Sequence, residues 1–166
     1  MSLRRQWKIW AAQLCLLILF GGCSSEAARE YKGYADDELT SRAQRGIFLE
    51  KYDALRSIEF NKNEVMNILL IAKGMRDVQS NRVETLEALT IKDAKLRNVH
   101  AHLLKAERNI LNGIIAFDGL MNRENITVRQ YRNHLSSLEE TVSKSEEHFT
   151  NYEESRTAYE EQIQER

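Results

Sequence analysis

The sequence predicts an all-α protein, either an antiparallel three-helix bundle or a coiled coil of long helices. Three observations lead there. The 166 residues include no proline, where average usage would supply about eight. Proline removes a backbone donor and clashes with the preceding turn, so its absence lets long helices run. From Asp37 onward, apolar residues recur at spacings of three, four and seven, the period of a helix face. No stretch of useful length alternates apolar and polar residues as a half-buried strand does.

Residues 1–22 stand apart from the rest. They carry Arg4, Arg5 and Lys8 with no acid, then an apolar run from Ile9 to Phe20 broken only by Gln13, then Gly21 and Gly22. A positive start, a short apolar core and small residues make the pattern of a secretory signal. The run is far shorter than the roughly 20 residues a membrane-spanning helix needs, which argues against an uncleaved anchor. Lys8 and the strong hydrophobicity of the core favour general secretion over a twin-arginine route for Arg4-Arg5.

The run ends Leu19-Phe20-Gly21-Gly22-Cys23. This resembles the lipobox of bacterial lipoproteins, in which an aliphatic residue and two small residues precede a cysteine. The chemistry explains the types: a thiol accepts the diacylglycerol group, and small side chains let the peptidase reach the scissile bond. Phe20 stands where leucine is usual. Cys15 follows Leu14 inside the apolar core and is a poor rival. The resemblance implies that residues 1–22 are a cleaved signal peptide and that Cys23 is the lipidation site. It further implies a palmitate-bearing chain held to a membrane by its N-terminal lipid. Ser24 follows the cysteine, where aspartate would mark inner-membrane retention in the sorting pattern this resembles. The implied location is therefore the bacterial outer membrane, facing the periplasm. The resemblance covers only the leader.

Beyond the leader, residues 23–36 contain Gly33 and lack a sustained period, so they read as a lipidated tether. A helical bundle or coiled-coil domain is expected over 37–166. Asp36, Asp37 and Glu38 supply capping acids for a first helix, whose stripe runs through Phe48, Leu55, Ile58, Val65, Leu69 and Ala72 to about Asp77. Gln79-Ser80-Asn81 reads as a turn. In the second helix Leu89, Leu96, Leu103, Ile110 and Phe117 are spaced by seven, with Asp118 to Asn125 as the next turn. Thr127 with Gln130 forms a capping box for the third. There Val128, Leu135, Val142, Phe149 and Ile163 share one comb, interrupted by Arg156. Tyr131, Leu138, Tyr152 and Tyr159 share the other, interrupted by Ser145. Helices of about 40 residues, or about 60 Å each, fold most simply as an up-down-up bundle. The rival is one helix from 37 to 120 paired with a second copy.

Chemistry is sparse. His100 and His102 stand two apart and point away from each other on a helix, while His134 and His148 are isolated among glutamates. No HExxH, CxxC, EF-hand, GxSxG or P-loop spacing occurs. No metal, no cofactor and no catalytic residue are expected, and the chain does not read as an enzyme. Outside the leader, 21 basic residues face 25 acidic ones, a net of −4, a poor match for nucleic acid. Asp93, His100 and Glu107, seven apart, form either a wet edge or a polar seam that sets register. Phe149, Tyr152, Tyr159 and Ile163 either pack against the other helices or dock a partner helix. The expected function is that of an envelope lipoprotein whose bundle binds or spaces other envelope proteins, with homo-oligomers through the coiled coil. An inhibitor or exclusion lipoprotein of the kind plasmids and phages encode is the second class, and a structural envelope tether the third.

Overall fold

The structure is a computed structural model that describes residues 26–123 and 126–165. The leader, Cys23 and the signal-peptide boundary lie outside the described residues. Among the described residues four helices follow one another: α1 (Glu26–Arg56), α2 (Val65–Glu87), α3 (Ala94–Met121) and α4 (Val128–Gln164). No strand occurs among the described residues. The all-α bundle is as the sequence predicts, but it has four helices where three were expected.

The extra helix comes from a break inside the expected first one. Residues 57–64 leave the helix, while Gln79-Ser80-Asn81, expected as a turn, are helical and Gln79 is buried in α2. The turn falls instead at 88–93, and Asp93 caps α3 by accepting from the backbone of Lys95 and Leu96 at 2.8 and 2.9 Å. The expected tether is also corrected. Residues 26–36 are the first three turns of α1, and Tyr31 and Tyr34 are buried there. A tether stays solvated, whereas two aromatic rings on one helix face gain more from burial than from chain freedom. Asp36, Asp37 and Glu38 therefore sit within α1 and cap nothing. The capping box of Thr127 and Gln130 is present at the start of α4.

Side-chain contacts set the topology. Lys51 lies against Gly74, which brings α1 and α2 together. Arg82 with Glu107 and Arg76 with Asp118 run α2 antiparallel to α3. Lys95 with Gln162 at 2.8 Å, and Gly113 beside Thr141, do the same for α3 and α4. Tyr31 with Glu160 and Arg56 with Glu139 close the ring between α1 and α4. This is an up-down-up-down four-helix bundle. The start of α1, the 88–93 turn and the end of α4 share one end of it. The backbones of α1 and α4 approach each other far less than those of the sequential pairs, so long side chains fill that seam.

The core draws on all four helices. Phe48 and Leu55 of α1, Ile68, Met75 and Leu86 of α2, and Leu96, Leu103, Ile114 and Phe117 of α3 are essentially inaccessible, as is Tyr152 of α4. Gly113 sits where α3 and α4 meet tightly: a Cβ there would lie 2.9 Å from Thr141 Cγ2 and 3.3 Å from Leu138 Cδ1. Alanine would improve helix propensity by about 1 kcal/mol, but a larger side chain must push α4 away. Gly113→Val is expected to lower stability by about 2 kcal/mol, with partial recovery from a second change, Thr141→Ala. Urea unfolding of both variants checks this, and an unmoved midpoint for Gly113→Val would refute the close approach.

Candidate functional site

The distinctive feature of the bundle is a polar layer in its middle. Arg82 and Glu107 are each 1% exposed, with Arg82 Nη2 donating to Glu107 Oε1 at 2.7 Å. Gln79 Nε2 donates to Glu107 Oε2 at 2.7 Å and to the Glu107 carbonyl at 2.9 Å. Nε and Nη1 of Arg82 have no hydrogen-bond partner among the described residues. Burying two charges costs several kcal/mol per ion before any Coulomb gain. A partly satisfied network is thus a poor stabiliser, and its plausible return is pairing specificity between α2 and α3. Asp93, His100 and Glu107 were expected together as an edge or a seam. Glu107 and His100 are buried and belong to a seam, while Asp93 is the α3 cap.

A second polar run fills the α1/α4 seam. Glu38 is buried and holds Arg42 through two bonds of 2.8 and 2.9 Å. Arg156 reaches Glu38 at 3.7 Å, Glu153 at 3.6 Å and Glu160 at 3.3 Å. Burial works against its charge, but Glu153, Tyr152, Tyr31 and Glu160 together hold the guanidinium above its ordinary range. Burial pushes the Tyr31 hydroxyl up, and its hydrogen bond to Glu160 pushes it further. Arg45 lies over the Phe149 ring, 3.6 Å from its centroid, a cation–π contact, and burial pushes its pKa down. Burial likewise raises Glu153 and lowers His100, whose Nδ1 lies 3.4 Å from Tyr34 Oη.

The four residues named from sequence as partner-docking candidates face inward. Phe149, Tyr152 and Tyr159 are buried, and Ile163 packs half-buried on the same core. Tyr159 meets Tyr31 at 5.6 Å between ring centroids. They are core, because α1 continues to Glu26 and covers them. The end of α4 also lies beside the start of α1, not at the far end of the molecule. Sequence reasoning missed Gln79, which it placed at a turn, Arg82, which it did not single out, and Glu38, which it treated as a cap. The signals available were Ser145 and Arg156, which interrupt the apolar combs of α4, and Glu107 on the polar comb of α3; Ser145 and Glu107 are buried and Arg156 is half-buried.

Among the described residues no serine or threonine hydroxyl is hydrogen-bonded to a histidine. A shallow groove at the 88–93 turn is lined by Glu87, Leu89, Ile91, Arg97, His100 and Arg108. Its arginines are already engaged, Arg97 with the carbonyls of Ile91 and Lys92 and Arg108 with Glu87. Among the described residues no group of three or more His, Cys, Asp and Glu could hold a metal ion, and no helix is long and apolar enough to cross a membrane. No family model, curated protein or solved structure matches the chain.

Proposed function

We propose that this chain is a lipid-anchored envelope lipoprotein whose helical bundle is a protein-interaction or scaffolding module. The observation that carries the reading is Leu19-Phe20-Gly21-Gly22-Cys23 directly behind a short apolar run with a basic start. Only Ser24 and Ser25 separate Cys23 from Glu26, the first residue of α1. Three residue steps span at most about 10 Å. A lipid on Cys23 therefore seats the bundle against the bilayer, with the 88–93 turn and the end of α4 on the membrane side. The 57–64 connection and the end of α3 at Met121 then face away. Near that far end α2 exposes Met66 and Leu70, at 75% and 72%, and they are the first apolar contacts an envelope partner would meet.

Two acyl signals give stable anchoring where one gives marginal binding. Cys23→Ser is accordingly expected to leave an unprocessed precursor that incorporates no labelled palmitate. Fractionation should place the unaltered protein with the outer membrane. Palmitate labelling that survives Cys23→Ser would reject the anchor.

A further inference from the structure

We infer that residues 57–64 are a hinge through which α1 and α2 fuse into one helix, so that α1 of one copy packs on α4 of a second copy. The break is the junction whose local sequence does least to cause it. The other two helix starts are capped by side chains, Asp93 for α3 and Thr127 with its capping box for α4. At the start of α2, Glu64 makes no side-chain cap bond, and its φ of −86° and ψ of −9° are already helical. Ser57-Ile58-Glu59-Phe60-Asn61-Lys62-Asn63-Glu64 contains neither glycine nor proline. Leu55, Ile58, Val65, Leu69 and Ala72 lie across it at spacings of three, seven, four and three, so a helix over this stretch would resume its apolar stripe in register after one polar turn at Asn61 and Lys62.

Tertiary contacts add to a local asparagine turn in bending the chain there. Phe60 stacks on Tyr131 with ring centroids 4.8 Å apart, and Tyr131 Oη donates to the Leu55 carbonyl at 3.3 Å. Within the hinge, the Asn63 N–H donates to Asn61 Oδ1 at 2.9 Å, and the Glu64 N–H closes a turn on the Asn61 carbonyl at 3.0 Å.

The occupant of the vacated α4 face is specified by its chemistry. The α1/α4 seam is the loosest backbone junction of the ring, and its ion pairs cross it in both directions, Arg56 of α1 with Glu139 of α4 and Arg156 of α4 with Glu38 of α1. Arg56 meets Glu139 there at 2.8 Å. Only α1 carries that set of rings and charges, so a second copy restores each seam contact that opening removes. The exchange differs from the closed monomer in the hinge alone, trading the Phe60 and Asn61 contacts for continuous helix, and in association. That is the condition for domain swapping. The inference is independent of the lipid anchor.

The test uses the full chain in two tagged forms produced together, one with Glu38→Cys and one with Arg156→Cys, treated with a short bis-maleimide. Swapped seams are then either both modified or both native. Cys15 and Cys23 set the background, read from either form alone. A covalent heterodimer above background is expected, with a yield that rises with concentration. Asn61→Ala with Asn63→Ala should strengthen association on the order of tenfold or more, through higher helix propensity at both hinges. Lys62→Pro should abolish it, because proline suits the second position of the 61–64 turn but breaks a helix interior. Sedimentation of the same hinge variants, without added cysteines, should show the dimer fraction moving in the same two directions. Absence of the heterodimer, or a dimer fraction indifferent to both hinge changes, would overturn the inference.

Discussion

Arg82→Leu is expected to destabilise the bundle by about 3–5 kcal/mol, a large part of the stability of a domain this size. The substitution leaves the Glu107 carboxylate 1% exposed, with Gln79 Nε2 as its remaining side-chain donor. The lost ion pair matters less than the charge left behind, which must be buried unpaired or drag water into the core. The second half of the test is Arg82→Leu with Glu107→Leu. Replacing both charges by apolar groups of similar bulk removes the desolvation cost together with the attraction. The double variant should return to within about 2 kcal/mol of the parent or exceed it. Gln79 keeps the Glu107 backbone carbonyl as an acceptor, 2.9 Å away, so the double change does not orphan it. Urea unfolding of the parent, both single variants and the double variant reads the coupling. An Arg82→Leu variant within about 0.5 kcal/mol of the parent, the range of ordinary surface changes, would show that the pair is solvated.

Deleting residues 150–166 is expected to unfold most of the bundle, not to release an independent tail. The deletion removes Tyr152 and Tyr159 from the core and Arg156 from the seam. Burying a large side chain contributes about 1.5–3 kcal/mol, and a truncated aromatic in a core costs about 3–5 kcal/mol. Two such losses reach on the order of the whole stability of a single domain. They also expose Tyr31, Tyr34 and the surrounding face of α1. Loss of the helical circular dichroism signal, or a melting temperature far below that of the parent, is the expected result. A shortened chain that keeps its helicity and melts at the parent temperature would return Phe149, Tyr152, Tyr159 and Ile163 to the role of an exposed docking stripe.

What the sequence determined by itself is the helical class, the apolar face of each segment and two helix boundaries. Thr127 with Gln130 and the apolar combs behind them mark α4, because a cap bond and a helical period are local properties within one turn of each other. The end of α3 near Asn122 was legible for the same reason. The break at 57–64 was not, since neither glycine nor proline marks it and the apolar stripe resumes in register beyond Asn61 and Lys62. Contacts such as Phe60 on Tyr131, 71 positions apart, hold it there. The helical conformation of residues 26–36 was hidden likewise, because Tyr31 and Tyr34 find their cover on α3 and α4. Periodicity reports which face of a helix is apolar, but not what stands opposite a polar residue on that face. Glu107 became a core residue only when α2 placed Arg82 and Gln79 against it, and Arg156 became half-buried in the seam only when α1 placed Glu38 beside it. A charge is buried or solvated according to the partner that the fold supplies, and those partners lie on other helices, so tertiary structure alone decided them.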